Sequence, residues 1–268
     1  MISSSQIKLI RSLRKKKQSD RQRLYVVEGS KMTGDLLDAA GQTAHRPVSL
    51  FATEQWINSQ TTRVASLKDR VVACTEKELS KISNLVTPQP VVCLVAMPEE
   101  EGWDQQPTAG PVLVFESIRD PGNLGTIMRT ASWFGINHLV CSPDSVDRFN
   151  PKVVQATMGA IFHVNVLYLD LEEWLSGRVE EKRRIFGTFP DGENLYGTNM
   201  GEQPVILFGN ESRGLSSRYD RYLSGRIAIP PFFSGVKGPE SLNVASSVAV
   251  FCSEIRSSRA AGPTRSGN

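Results

Sequence analysis

Residues 119–135 read RDPGNLGTIMRTASWFG. The stretch opens as a turn, Asp120-Pro121-Gly122-Asn123, and ends as a helix closed by Gly135. Leu124, Ile127, Met128, Ala131 and Phe134 recur at helical spacing and form one apolar stripe. Asn123 is a credible helix cap, leaving free amide donors in the first turn. Arg129 falls off the stripe. Gly125 costs about 1 kcal/mol relative to alanine in a helix interior, and in return permits close approach of a backbone or ligand. Taken alone, the stretch reads as a surface helix with a solvent-facing arginine and a tolerated glycine.

Working outward, the apolar run Val112–Phe115 precedes this helix, and further short runs follow at His138–Cys141, Phe162–Leu167, Arg184–Phe189, Val205–Phe208 and Arg226–Ile229. With helical segments between them, they predict a layered α/β domain with a parallel sheet. A last helix is expected from about Ser241 to Arg256. Before residue 98 a smaller α/β series is expected: a helix over 4–17, strands at 24–27, 48–51, 71–74 and 91–95, and helices over 31–40, 54–60 and 76–83. Residues 98–110, rich in acid, Pro and Gly, read as a linker. The domain bounds are therefore 1–97, 98–110 and 111–258, with a small, polar tail at 259–268 expected to be disordered.

Bulk composition narrows the class. The chain has 268 residues, 40% hydrophobic and 22% charged, with net charge +3. No apolar run approaches the roughly 20 residues of a membrane span, and the N-terminus lacks the order of a secretory signal. Cys74, Cys93, Cys141 and Cys252 are scattered without a CxxC and lie in apolar runs, as expected of reduced thiols in a cytoplasm. His45, His138 and His163 are equally dispersed, so no metal site is expected. Lys8, Arg11, Arg14, Lys15, Lys16, Lys17, Arg21 and Arg23 face only Asp20 as an opposing charge in their segment. Such a cluster suits either a phosphate-binding footprint or a solvated helix face.

Two further loops complement the first. FGNESRGLS, Phe208 to Ser216, follows an apolar strand; ligands bind at that edge of an open α/β sheet. By themselves Asn210 is a turn residue and Glu211 a helix-start acid. The third loop, PPFFSGVKGPESLN, runs into the last helix. A cap role accounts for Ser241 but leaves Asn243 unexplained. No P-loop, dinucleotide fingerprint or serine elbow is present.

Together the three loops resemble the SpoU, or TrmH-like, branch of the SPOUT RNA methyltransferases. DPGNLGTIMRTASWFG resembles that family's first motif, FGNESRGLS its second and IP…ESLNVASSVAVF its third, in order, over roughly Val112 to Arg256. QATMGAIFHVNV resembles the intervening segment, and the N-terminal part with EGSKM resembles an L30e-like substrate domain. The resemblance implies a C-terminal parallel-sheet α/β domain threaded into a deep trefoil knot. It also implies a homodimer, S-adenosylmethionine as methyl donor, and RNA, ribosomal rather than transfer RNA, as substrate of ribose 2′-O-methylation. Carried onto this chain, Asn123, Arg129, Glu211, Ser241 and Asn243 are the catalytic set. Leu207, Gly209, Asn210, Gly214, Ile229 and Leu242 are the expected cofactor contacts. The segment PFFSGVKGPE is longer and more polar than the family's usual linker there; Lys237 in it is a further phosphate contact, or the loop a lid. Two competing readings are a non-catalytic RNA- or ribosome-binding protein on the same scaffold, and a small-molecule methyltransferase.

Overall fold

The computed structural model describes residues 1–99, 110–232 and 241–260, without the side chains of 258–260. All but the ends of the linker at 98–110, most of the loop Pro230–Glu240 with Lys237, and the tail from 261 lie outside the described residues. Two compact units divide the chain: Met1–Glu101 with Asp147–His163, and Gly102–Val146 with Val164–Asn268. The helices are α1 (Ser4–Ser12), α2 (Lys16–Gln22), α3 (Ser30–Asp38), α4 (Glu54–Ser59), α5 (Thr61–Val64), α6 (Glu76–Leu79), α7 (Pro121–Trp133), α8 (Pro151–Thr157), α9 (Leu171–Glu180) and α10 (Val244–Ala260).

The first unit carries β1 (Leu24–Glu28), β2 (Arg46–Ala52), β3 (Val71–Ala73) and β4 (Val91–Ala96) in the order β1-β4-β2-β3. Strand β4 is antiparallel to both neighbours, and β2 and β3 are parallel. The helix expected over 4–17 is two helices, because Lys15 is extended between them. Ile10 and Leu13 reach the core beside Phe51, Leu79 and Ile82, and burying both takes precedence over helix continuity. Half of the basic cluster is structural. Arg11 Nε, Arg14 Nη2 and Arg23 Nη2 donate to the carbonyls of Lys81, Ser83 and Pro98, each at 2.6 Å, and Lys16 pairs with Asp20 and Asp147 at 3.2 and 3.6 Å. All eight side chains are exposed, and those of Lys8, Lys15, Lys17 and Arg21 make no hydrogen bond or ion pair among the described residues.

In the second unit β5 (Val112–Phe115), β6 (His138–Cys141), β7 (Asn165–Tyr168), β8 (Ile185–Asn194), β9 (Val205–Phe208) and β10 (Gly225–Ala228) form one parallel sheet in the order β10-β8-β9-β5-β6-β7. The parallel α/β architecture expected from the alternating runs is present. Strand β7 starts at Asn165, because Ala160–Phe162 is a 3-10 turn following Gly159 in the left-handed region. Strand β8 extends to Asn194 because its pairing with β10 jumps from Gly187 to Glu193. Burial pushes the thiols of Cys93 and Cys252, one in each unit, up to about 12.

Helix α7 buries Leu124, Gly125, Ile127, Met128 and Ala131, with Phe134 half-buried. Each large buried side chain contributes roughly 1.5–3 kcal/mol, which outweighs the glycine's cost. Gly135, at φ +63°, ends the helix as expected, and Ile136 N–H donates to the Ala131 carbonyl at 2.8 Å. Arg256 of α10 donates to the carbonyls of Phe134 and Gly135 at 2.6 and 2.8 Å, satisfying the same end.

The loops leaving β5, β6 and β9 are fastened to one another. Ser117, at φ +53°, accepts from Asn210 Nδ2 at its carbonyl (2.8 Å) and donates its amide to Ser142 Oγ (2.7 Å). Asp144 accepts from Ser117 Oγ at 2.5 Å, Ser142 Oγ at 2.6 Å and Arg119 Nη2 at 2.9 Å. The Ser117 hydroxyl, then that of Ser142, holds its carboxyl at about 2, with Arg119 adding to the effect. A left-handed non-glycine residue costs about 1–3 kcal/mol, so these bonds are what retains it.

Gly209 has no room for a side chain: a Cβ there would lie 2.1 Å from the Gly214 carbonyl carbon and the Leu215 nitrogen. Gly209→Ala is expected to lower the urea unfolding midpoint by the equivalent of about 3 kcal/mol, since backbone cannot yield as a side chain does. Gly177→Ala, in α9 with open space around the added carbon, is expected to raise it slightly. Because the Asp144 pKa is depressed on folding, its stabilisation is present above about pH 4 and lost as pH falls toward about 2. Unfolding midpoints of Asp144→Asn are expected to show a flatter acid limb; an unchanged limb would remove Asp144 from that account.

Candidate active site

The first loop enters α7 through Asp120, not Asn123. Asp120 Oδ1 accepts from Asn123 N–H at 2.8 Å, with Pro121 at the first helical position. Aspartate is a strong cap and proline's fixed φ suits that position, so the cap sits three residues earlier than expected. The correction frees the Asn123 side chain. Likewise Ser241 does not cap the last helix: it is exposed, and Asn243 Oδ1 accepts from Ala245 and Ser246 N–H at 2.9 and 3.3 Å. Helix α10 accordingly begins at Val244.

Four of the expected residues meet. Asn123 Nδ2 donates to Glu211 Oε1 at 3.2 Å, and Asn243 Nδ2 donates to Asn123 Oδ1 at 2.9 Å. Asn210 Nδ2 donates to Glu211 Oε2 at 3.2 Å, and the Asp120 amide to Glu211 Oε1 at 3.4 Å. The direction of every bond is dictated by chemistry. Asn243 Oδ1 is occupied by backbone donors, so its amide nitrogen must face Asn123, which therefore presents oxygen. Asn123's nitrogen is then left for the carboxylate, which only accepts. Asn210 is oriented in the same way, its Oδ1 taken by Ser212 and Arg213 N–H at 3.1 Å.

The second loop is built tightly. Asn210 and Gly214 exchange backbone bonds of 3.0 and 2.9 Å, with Gly214 at φ +68°. Its exit is held by Glu116, 8% exposed, which accepts from Ser216 N–H at 2.8 Å and Arg218 Nη2 at 3.1 Å. Glu116, Ser117 and Asp120 were missed as site-building residues. The Asp-Pro pair could have signalled Asp120; nothing local signals the positive φ of Ser117.

Of the remaining expected residues, Gly214 is joined to Asn210 through the backbone, and Arg129, Ser241, Leu207, Ile229 and Leu242 are not joined to this network. Arg129 is exposed on α7, with no hydrogen bond or ion pair among the described residues. Leu207 is fully buried in β9, and its carbonyl accepts from Thr188 Oγ1 at 3.1 Å. Ile229 is half-buried just after β10, and Leu242 is 51% exposed. An adenosine-bearing cofactor needs apolar surface for its ring and backbone amides for its polar edge. An open leucine, a half-buried isoleucine and a turn whose Gly214 would meet nothing with an added Cβ fit that need.

A family model described as the SpoU rRNA Methylase family matches residues 110–253, and one described as the MRM3-like substrate binding domain matches residues 4–93. The chain is 25% identical over 257 residues to the 23S rRNA (guanosine(2553)-2'-O)-methyltransferase RlmP of Bacillus subtilis, covering 94% of this chain and 96% of that one. A solved TrmH-family structure from Porphyromonas gingivalis is 36% identical with a TM-score of 0.82, covering 96% of this chain and 99% of its own. The AdoMet-bound rRNA methyltransferase from Sinorhizobium meliloti is 26% identical with a TM-score of 0.82, covering 96% and 97%. The three loops that carry the amide network all lie within the stretch under the first model, which spans more than half the residues, and the chain belongs to the SpoU rRNA methylase family.

Proposed function

We infer that this protein transfers a methyl group from S-adenosylmethionine to a ribose 2′-hydroxyl of RNA, ribosomal rather than transfer RNA. The observation that carries this reading is the convergence of Asn123, Asn210, Glu211 and Asn243 from three sequence-distant loops into one polarised network. When bound, the cofactor supplies an electrophilic methyl on a sulfonium. The turn 209–214 with Ile229 and Leu242 would hold it, with Leu207 behind them.

In-line displacement rewards alignment, and effective molarities for well-placed partners are worth several kcal/mol. Asn123 is held at both ends of its amide and so presents its remaining N–H and lone pair in fixed directions toward an incoming hydroxyl. Glu211 and Asn243 position it. A guanidinium stays protonated, so Arg129 is assigned to grip a backbone phosphate or the hydroxyl oxygen rather than to remove a proton. Ser241, exposed before α10, is a further candidate for the substrate. The reading includes a homodimer formed through a trefoil-knotted second unit, RNA held by the first unit with its exposed Lys8, Lys15, Lys17 and Arg21, and a cytoplasmic setting. Among the described residues no helix is long and apolar enough to cross a membrane.

The competing reading is a non-catalytic RNA-binding protein. Calorimetric titration with S-adenosylmethionine separates the two: heat is expected, and its absence would leave a degenerate scaffold. Arg129→Ala is expected to lower methyl transfer about 10²–10³-fold with cofactor affinity nearly unchanged; a parallel loss of affinity would assign Arg129 to the wrong site. Glu211→Gln places an amide donor against Asn123 or Asn210. It is expected to lower turnover about 10- to 100-fold, as for a charged hydrogen bond of about 1.5–3 kcal/mol, with the unfolding midpoint little changed.

A further inference from the structure

The loop after β6 grips the segment that leads into the candidate active site. Ser117 commits all of its polar groups: its amide donates to Ser142 Oγ at 2.7 Å, its hydroxyl donates to Asp144 Oδ2 at 2.5 Å, and its carbonyl accepts from Asn210 Nδ2 at 2.8 Å. The next residue is held by the same loop, with Ile118 N–H donating to Ser145 Oγ at 3.2 Å and Val146 N–H to the Ile118 carbonyl at 2.8 Å. Asp144 ties the arrangement together, because Ser142 Oγ donates to its other oxygen at 2.6 Å. Its carboxyl, held at about 2 by the Ser117 hydroxyl and then that of Ser142, is an acceptor at any working pH.

Each link passes a direction to the next. At φ +53° Ser117 occupies a region that glycine enters freely and a residue with a Cβ does not, so its carbonyl faces Asn210 only while these bonds hold. Asn210 has no freedom left. Its amide nitrogen donates to Ser117 and to Glu211 Oε2, and its oxygen accepts from Ser212 and Arg213 N–H. Turning its carboxamide would set donor against donor. Glu211 in turn accepts from Asn123. The backbone of the turn is closed separately by the bonds between Asn210 and Gly214, so releasing Ser117 loosens the carboxamide and not the turn.

We propose that Asp144 is a positioning residue for methyl transfer, acting through Ser117, Asn210 and Glu211 on the direction of Asn123. The inference rests on the methyl-transfer reading above and adds to it a residue from a further loop that touches neither substrate nor cofactor. Losing Asp144 slows turnover and spares cofactor affinity, because the reacting hydroxyl needs a fixed amide whereas the cofactor is held by the backbone of the turn. The left-handed serine is what makes Asp144 necessary. Glycine at 117 adopts that conformation without help and makes Asp144 dispensable.

The test measures turnover of the full chain on ribosomal RNA with tritiated S-adenosylmethionine. Rates are taken per cofactor site counted by calorimetric titration, so unfolded protein is not scored. Asp144→Asn leaves one acceptor oxygen for two hydroxyls and Arg119. It is expected to lower kcat about tenfold, the size of one lost charged hydrogen bond, with cofactor Kd little changed. Ser117→Ala, which keeps the Cβ and loses the hydroxyl, is expected to match it. Ser117→Gly loses the same hydroxyl, yet it is expected to turn over about fivefold faster than Ser117→Ala, because the left-handed conformation then costs nothing. The double variant Asp144→Asn with Ser117→Gly is expected to run at the Ser117→Gly rate. Undiminished kcat in Asp144→Asn, a loss that Ser117→Gly does not repair, or a parallel loss of cofactor affinity overturns the role of Asp144 while wild-type methyl transfer stands. A wild type without methyl transfer removes the parent reading, and this role with it.

Discussion

A carboxylate can only accept, and the functional edge of the second unit is organised by that constraint at Glu211. Its two oxygens take donors from Asn123, Asn210 and the Asp120 amide, tying the entrance of α7 to the loop after β9. At the other end, the first amides of α10 occupy Asn243 Oδ1 and force its nitrogen toward Asn123. A chain of amides fixed by a carboxylate at one end and a helix terminus at the other has one self-consistent orientation. Reversing any member would set donor against donor. That gives Asn123 a direction as well as a position.

These bonds are exposed, and each contributes a net of only about 0.5–1.5 kcal/mol between neutral groups and about 1.5–3 kcal/mol to the carboxylate. Their geometry therefore depends on what lies beneath. Val112, Val114, Val205 and Leu207 are fully buried in adjacent parallel strands, and Phe115 stacks on Phe208 at 5.3 Å with Phe251 edge-on to Phe208. The ends of β5 and β9 are held in register by that core, and the loops that leave them start from fixed points. The close pass at Gly209 and the left-handed Ser117 cost conformational freedom that only such a scaffold can hold.

Much of this was legible locally. The stripe of α7, its end at Gly135, and strands β5, β6 and β9 follow from apolar periodicity and glycine chemistry. Residue type alone did not fix the two helix starts. Asn123 and Ser241 are both good caps by residue type, yet Asp120 and Asn243 cap because Pro121 and Val244 set where each helix begins. In the basic N-terminal segment, charge alone did not separate Arg11 and Arg14, whose guanidinium groups bond backbone carbonyls, from Lys15 and Lys17, whose side chains make no such bond among the described residues.

By itself the sequence determined the order of strands and helices, the parallel class of the second sheet and the identity of the three loops. These follow from side-chain character over a few neighbouring residues. Only the tertiary structure decided which amide faces which acceptor, since Asn123 meets partners 88 and 120 residues away. It also decided that residues 147–163, lying between two strands of the second sheet, pack with the first unit. Partners that far apart in the chain are brought together by strand order and core packing, for which no short stretch of residues carries a local signal.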